Sequence, residues 1–154
     1  DRRGAVRGRW PPLTVDGQLH GLRQALSRGE ISKFAIANPE HAPYGQRATE
    51  ALQRAGLWSA LRGKLVLGEN AAQAAQFATS GNAQGGIIAY SLALAPAMKE
   101  RGTYFLIPAD DHQPLRQRMV LLANAGPVAE RFYHYLQEPS GRATLARYGF
   151  VLPE

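Results

Sequence analysis

Residues 34–45 read FAIANPEHAPYG, and this stretch decides the fold. Its first four residues are an apolar run typical of a buried strand, and the Asn-Pro pair after them marks a turn. Pro43 fixes its own φ and biases Ala42 away from the helical region, so Tyr44 and Gly45 are predicted in the first turn of a helix. The first N–H groups of a helix have no partner inside it. A strand that feeds such a helix start is where α/β sheets bind anions.

Strands and helices alternate along the rest of the chain. Strands are predicted at 34–37, 65–67, 85–90, 104–107 and 119–122, and helices at 18–28, 46–56, 71–79, 92–101, 127–137 and 140–148. Asn70 is in place to cap the helix that begins at Ala71. This alternation indicates an α/β fold with a mostly parallel sheet flanked by helices.

The net charge of +6 is concentrated at the start of the chain. Arg2, Arg3, Arg7 and Arg9 are opposed only by Asp1, so the first ten residues carry half of it. Residues 1–16 are therefore predicted to be a basic flexible leader. Nucleic-acid binding needs basic residues interleaved with aromatic ones on one face, and no such pattern follows the leader. We expect no nucleic-acid partner.

Composition excludes several other classes of protein. The chain has 154 residues and no cysteine, which rules out disulfides and thiolate catalysis. No apolar stretch approaches the ~20 residues of a membrane-spanning helix. The chain starts at Asp1 without a Met or an apolar leader, which predicts a mature or truncated product.

Enzyme motifs are mostly missing. Gly63-Lys64 is followed by Leu65 rather than Ser or Thr, so it is not a phosphate-binding loop. The four histidines lack metal-ligand spacing: His20, His41, His112 and His134. A hydrolytic cluster of Asp110, Asp111 and His112 remains an alternative, although an Asp-rich turn explains it better. We expect no catalysis, no cofactor and no metal cation site.

Two predicted turns carry the positive signal. The strands that end at Ala37 and Leu67 each lead into a helix start, and in a parallel sheet both starts lie at the same edge. The N–H groups of Tyr44 and Gly45 from one helix, and of Ala71 and Ala72 from the other, can then point into one cleft. Neutral donors of this kind suit an oxyanion that stays fully ionised. Connecting turns without a ligand are the alternative.

Four segments closely resemble the periplasmic molybdate-binding proteins of ABC importers. They are Asn38 to Gly45, Lys64 to Asn70, Gly81 to Ile88 and Ala146 to Phe150, and the resemblance is co-linear from about Gly21 to Pro153. It implies the second lobe of a type II periplasmic binding fold plus C-terminal helices. Residues 17–112 would be the α/β anion-binding lobe, and residues 113–154 a hinge-return strand and C-terminal helices.

The resemblance also implies the ligand and its contacts. Molybdate or tungstate would be bound in the periplasm, for delivery to an ABC permease at the inner membrane. Backbone N–H groups of Tyr44 and Ala71 match family contacts. Some members add a tyrosine hydroxyl from the Gly-Ile strand, where this chain has Ala89, with Tyr90 one residue later. Tyr90 is therefore the weakest of the candidate ligands.

One part of the family pattern is absent. The family's first lobe, which supplies two serine contacts, has no counterpart in this sequence. We therefore expect impaired molybdate binding by this chain, and a homodimer through apolar side chains that the closing helices expose: Phe132, Leu136, Leu145 and Phe150. A ligand-sensing module of a regulator is the alternative function.

Overall fold

The computed structural model describes residues 13–153. The chain forms two compact units, the first ending at Leu115 and the second beginning at Arg116. The predicted leader at 1–16 lies largely outside the described residues, and its last four residues form neither helix nor strand.

Helices and strands alternate in the first unit, as predicted. Its regular elements are α1 (His20–Ser27), β1 (Phe34–Ala37), α2 (Pro43–Arg54), α3 (Trp58–Leu61), β2 (Leu65–Gly68), α4 (Ala71–Thr79), β3 (Gly85–Gly86) and α5 (Tyr90–Ala93). Short 3₁₀ turns occupy Arg62–Lys64, Pro96–Met98 and Ala109–Asp111. The second unit contains α6 (Pro127–Tyr135) and α7 (Pro139–Arg147).

The sheet is parallel and has β1 in its centre. The strand order is β2-β1-β3, with Phe34 opposite Leu65 on one side and opposite Gly85 on the other. Ala37 is the last residue of β1 and lies opposite Gly68, the last residue of β2. The carboxyl ends of β1 and β2 therefore coincide, and the predicted parallel sheet flanked by helices is confirmed.

One face of β1 builds the main core. Phe34 and Ile36 pack in a buried cluster with apolar residues of α1, α2, α3 and the loops beside them: Leu22, Ala25, Ile31, Ala48, Leu52, Leu57 and Leu61. Ile36, Leu52 and Leu61 are fully buried. Burial of each such side chain contributes about 1.5–3 kcal/mol, so this cluster anchors α2 on the sheet.

The opposite face of the sheet holds α4 at short range because its residues are small. Ala37 packs against Ala74 of α4. A Cβ added at Gly68 would lie 2.5 Å from the Ala74 nitrogen, and one at Gly86 would lie 2.9 Å from the Ala78 Cβ. Larger side chains would push α4 outward, so glycine and alanine set the position of its start.

Several predicted elements are shorter than expected or absent. The strand predicted at 85–90 stops at Gly86, and the helix predicted at 92–101 is reduced to α5 and a 3₁₀ turn that begins at Pro96. Proline has no N–H and clashes with the preceding turn, which explains the break.

The predictions of strands at 104–107 and 119–122 were wrong. Both segments lack ladder partners among the described residues. Phe105 is 59% and Val120 is 78% exposed. Strands need a neighbour to satisfy their backbone groups, and apolar composition alone does not supply one.

In the second unit, α6 and α7 meet at a tight corner. A Cβ added at Gly141 would lie 2.1 Å from the Tyr135 carbonyl oxygen, so only glycine fits there. Gly149 has φ 79° and ends α7 in the left-handed conformation, as its sequence position predicts. Among residues 13–153 we find no helix with the length and apolar character needed to cross a membrane.

Candidate anion-binding site

The turn after β1 is tightly hydrogen bonded. The Asn38 carbonyl oxygen accepts the N–H of Ala42 at 2.8 Å, and the Asn38 Oδ1 accepts the N–H of Glu40 at 3.0 Å. Ala42 is extended, with ψ 117°, and Pro43 is the first residue of α2. The first position of a helix favours proline, because a backbone N–H at that position would have no partner inside the helix. Tyr44 is therefore the second residue of α2 and the first in that helix with an N–H.

Gly45 has a packing role. Its N–H donates to the Ala42 carbonyl oxygen at 2.9 Å, so this predicted anion donor is already engaged within the turn. A Cβ at Gly45 would lie 2.1 Å from the Ala37 carbonyl oxygen. Glycine thus lets the first turn of α2 rest directly on the end of β1.

Two side chains, those of Asn70 and Gln73, accept backbone N–H groups at the start of α4. Asn70, the predicted cap, accepts the Gln73 N–H through its Oδ1 at 2.9 Å. The Gln73 side chain in turn accepts the Glu69 N–H at 2.7 Å. The N–H groups of Ala71 and Ala72 donate to no other described residue. These two donors remain available at the positive end of the α4 dipole.

The two helix starts are neighbours. The Asn38 N–H donates to the Gly68 carbonyl oxygen at 2.7 Å. The His41 Nε2 lies 3.1 Å from the Glu69 carbonyl oxygen and 3.2 Å from the Glu69 Oε2. Tyr44 packs against the small cluster of Ala37, Ala42 and Ala74. Both turns therefore belong to one local structure at the carboxyl ends of β1 and β2.

This edge of the sheet lacks cationic side chains, and its charged side chains are the carboxylates of Glu40 and Glu69. Residues 38–45 and 68–72 contain no Lys or Arg. Arg47, one turn further along α2, is paired with Glu50 at 3.1 Å. Attraction for an anion must therefore come from backbone N–H groups and helix dipoles, which favour negative charge at a helix start.

Tyr90 does not lie in a strand. It is the first residue of α5, and its ring meets the ring of Tyr104 edge to face, with centroids 5.9 Å apart. Such pairs stabilise packing. The contact with Tyr104 therefore gives Tyr90 a packing role.

Asp110, Asp111 and His112, the alternative hydrolytic cluster, lie in and beside a turn that is attached to α2. Asp111 forms an ion pair with the Arg54 Nε at 2.9 Å, and the His112 Nδ1 lies 2.9 Å from the Gln113 carbonyl oxygen. The Gln113 N–H donates to Glu50 at 2.7 Å. The Ala109–Asp111 turn is thereby attached to α2, as expected of an Asp-rich turn.

Described residues of the first unit line open cavities. One of about 450 Å³ is lined by Arg23, Arg54, Asp110 and Asp111 among others. Another of about 260 Å³ lies beside the turn after β1. Among the described residues, no group of three or more His, Asp or Glu side chains could hold a metal ion.

Sequence reasoning missed the contact between His41 and Glu69. Each residue stands in one of the two turns that were expected to meet, and this placement was the available signal.

Comparison with known proteins identifies the relatives of this chain. A family model described as bacterial extracellular solute-binding protein matches residues 7–151. The molybdate-binding protein ModA of Rhodobacter capsulatus is 35% identical over 129 residues, which cover 82% of this chain and 50% of that protein. ModA of Azotobacter vinelandii is 35% identical over 138 residues, which cover 88% of this chain and 55% of that protein.

Solved structures agree with these sequence matches. The periplasmic molybdate-binding protein of Azotobacter vinelandii superposes with a TM-score of 0.77 at 30% identity, over 96% of this chain and 63% of that one. A substrate-binding domain of a Clostridium difficile transporter shares the fold, with a TM-score of 0.59 at 20% identity, over 85% of this chain and 57% of that one. The chain spans about half the length of the curated relatives it matches.

Proposed function

The chain belongs to the family of bacterial extracellular solute-binding proteins, and from this premise we propose that it binds a tetrahedral oxyanion, molybdate or tungstate. The relatives that are named for molybdate binding support this ligand. In the same proposal the protein works in the periplasm as the substrate-binding component of an ABC importer and hands the anion to a permease. It acts as a carrier and not as an enzyme.

The proposal rests on one observation: the starts of α2 and α4 lie side by side. The N–H groups of Ala71 and Ala72, at the start of α4, donate to no other residue that the structure describes. The first turn of α2, with Tyr44, lies beside them. Molybdate is a dianion at neutral pH, so all of its oxygens accept hydrogen bonds and none donates. Backbone N–H groups meet that requirement without a cation.

We expect the 154-residue chain alone to bind molybdate weakly. Hydrogen bonds to a charged group contribute about 1.5–3 kcal/mol each, and each ~1.4 kcal/mol is tenfold in affinity. The two helix starts supply only a few such bonds, and the chain spans only about half the length of the curated relatives. We further propose that the chain self-associates through the second unit.

The decisive experiment removes one backbone N–H donor and leaves the polar side chains of the candidate site in place. Ala71 is the first residue of α4, where proline is well tolerated, and Asn70 before it is extended with ψ 176°, as a residue before proline must be. Ala71→Pro therefore deletes the Ala71 N–H while the helix start is retained. Ala71→Gly keeps the N–H and serves as the matched control.

Binding is read from ¹H–¹⁵N NMR spectra during titration with sodium molybdate. In the unmodified chain we expect the amide signals of Tyr44 and Ala72 to shift with saturation. Ala71→Pro should weaken binding roughly tenfold to a hundredfold, since one hydrogen bond to a charged group is lost. Ala71→Gly should bind nearly as the unmodified chain does. Shifts confined to other regions, or equal affinities for the two variants, would contradict the proposal.

A further inference from the structure

A single side chain joins the two turns of the candidate site. His41 belongs to the turn before α2, and its Nε2 lies within hydrogen-bond distance of both the carbonyl oxygen and the Oε2 of Glu69, in the turn before α4. We propose that His41 is a positioning residue, which fixes the spacing of the α2 and α4 starts through Glu69. This inference rests on the proposed oxyanion function, because it concerns the geometry of that site.

The backbone cannot make this connection by itself. The ladder between β1 and β2 pairs Ala37 with Gly68, and its last bond runs from the Asn38 N–H to the Gly68 carbonyl oxygen. Beyond that bond the chains enter separate turns. The next carbonyl oxygen along the chain, that of Glu69, is contacted by the His41 ring and not by a backbone N–H of the neighbouring strand. His41 thus extends the pairing of the two strands by one residue, to the point where the helices begin.

Glu69 is held from both sides. Its N–H donates to the Gln73 Oε1 at 2.7 Å, and its carbonyl oxygen and carboxylate meet His41. Gln73 is itself tied to Asn70, whose Oδ1 accepts the Gln73 N–H. A continuous series of contacts therefore leads from the α2 turn to Asn70, the residue that precedes the Ala71 donor.

The expected effect is modest because the pair is exposed. The His41 side chain is 48% and the Glu69 side chain 73% accessible, so solvent screens the electrostatic interaction between them. The bond to the carbonyl oxygen needs only a neutral ring with its proton on Nε2. Loss of the connection should therefore weaken molybdate binding about three- to tenfold rather than abolish it.

The first test uses the chain without ligand. In hydrogen exchange followed by NMR, His41→Ala should speed exchange at the hydrogen-bonded amides of the two turns and leave α1 unchanged; these amides belong to Asn38, Ala42, Glu69 and Gln73. His41→Gln should restore slow exchange, because the glutamine amide nitrogen carries two N–H donors at a similar reach. His20→Ala is the matched control, since His20 is also exposed and also lies near a carboxylate, that of Asp16. Unchanged exchange in His41→Ala would overturn the inference.

The second test measures affinity by molybdate titration of the same three variants. We expect weaker binding for His41→Ala, recovery for His41→Gln and no change for His20→Ala. Equal affinity in His41→Ala and the unmodified chain overturns the positioning role. If the unmodified chain shows no molybdate-dependent shift at all, the oxyanion proposal fails and the positioning role fails with it. Hydrogen exchange still decides whether His41 joins the two turns, so the two failures are distinguishable.

Discussion

Asp16 stabilises the start of α1 from outside the helix. Its Oδ1 accepts the N–H groups of Gln18 and His20 at 3.0 Å, and its Oδ2 accepts that of Gly21 at 2.8 Å. Leu19, with φ 59°, turns the chain back so that the carboxylate can reach these donors. A positive φ is uncommon for leucine, so the three bonds compensate for a strained residue.

The hydrogen bonds to Asp16 make stability depend on pH. The Gly21 N–H and, next, the His20 N–H lower the pKa of Asp16 below its ordinary value of 3.8, because they favour the ionised form. A carboxylate with a lowered folded-state pKa adds stability above the unfolded-state pKa, and this is lost as pH falls through the folded-state pKa.

We therefore predict that Asp16→Asn destabilises the chain at pH 7 and that its deficit shrinks below pH 3.8. Asparagine replaces one carboxylate oxygen by a donor, so either the Gly21 N–H or the N–H groups of Gln18 and His20 lose their acceptor. Urea unfolding of both proteins between pH 7 and pH 2.5 measures the difference. A deficit that is constant with pH would show that the charge of Asp16 has no part in it.

At the scale of elements, substitutions of Asn70, the cap of α4, distinguish an effect on stability from an effect on molybdate binding. Asn70→Ala removes the acceptor for the Gln73 N–H and should lower the free energy of unfolding by about 1 kcal/mol. Asn70→Asp keeps an acceptor and should keep the stability, since aspartate caps as well as asparagine does. Its negative charge would stand at the start of α4, however, and should repel molybdate. Urea unfolding and NMR titration of both variants measure the two effects. Unchanged affinity in Asn70→Asp would contradict an anion site at this helix start.

The elements between residues 34 and 79 were predictable because their signals are local. The strand at Phe34–Ala37 and the helix at Ala71–Thr79 have the predicted bounds, since an apolar run, a proline and an asparagine cap each act within a few residues. The segments at 104–107 and 119–122 carry equally apolar runs but form no strand. Their state depends on a partner for the backbone, and the sequence of the segment itself holds no information about one.

The same distinction applies to the candidate site. The helix starts at Pro43 and Ala71 follow from turn chemistry. The contact between His41 and Glu69 joins residues 28 positions apart and depends on the register of β1 and β2. The packing role of Gly45 likewise depends on how closely α2 approaches the end of β1. Long-range geometry of this kind cannot be read from spacing.

At the scale of the whole molecule, the second unit exposes an apolar surface on α6. Val128, Phe132 and Tyr135 are 69%, 61% and 41% exposed, and their spacing places them on one face of the helix. Of the four residues expected to form such a surface, Phe132 is exposed, whereas Leu136, Leu145 and Phe150 are partly buried. Contiguous exposed apolar side chains favour association.

We predict that the 154-residue chain forms a reversible dimer through this face of α6. A symmetric dimer would bury Phe132 of both copies, and full burial of such a side chain contributes about 1.5–3 kcal/mol, so Phe132→Ser should weaken association about tenfold or more. His134→Ser is the control, because residue 134 lies about 200° around α6 from residue 132 and its loss leaves the apolar face intact. Sedimentation velocity over a range of protein concentrations measures the dimer fraction of each protein. A monomer at all concentrations in the unmodified chain, or equal weakening by both substitutions, would exclude this face as the contact.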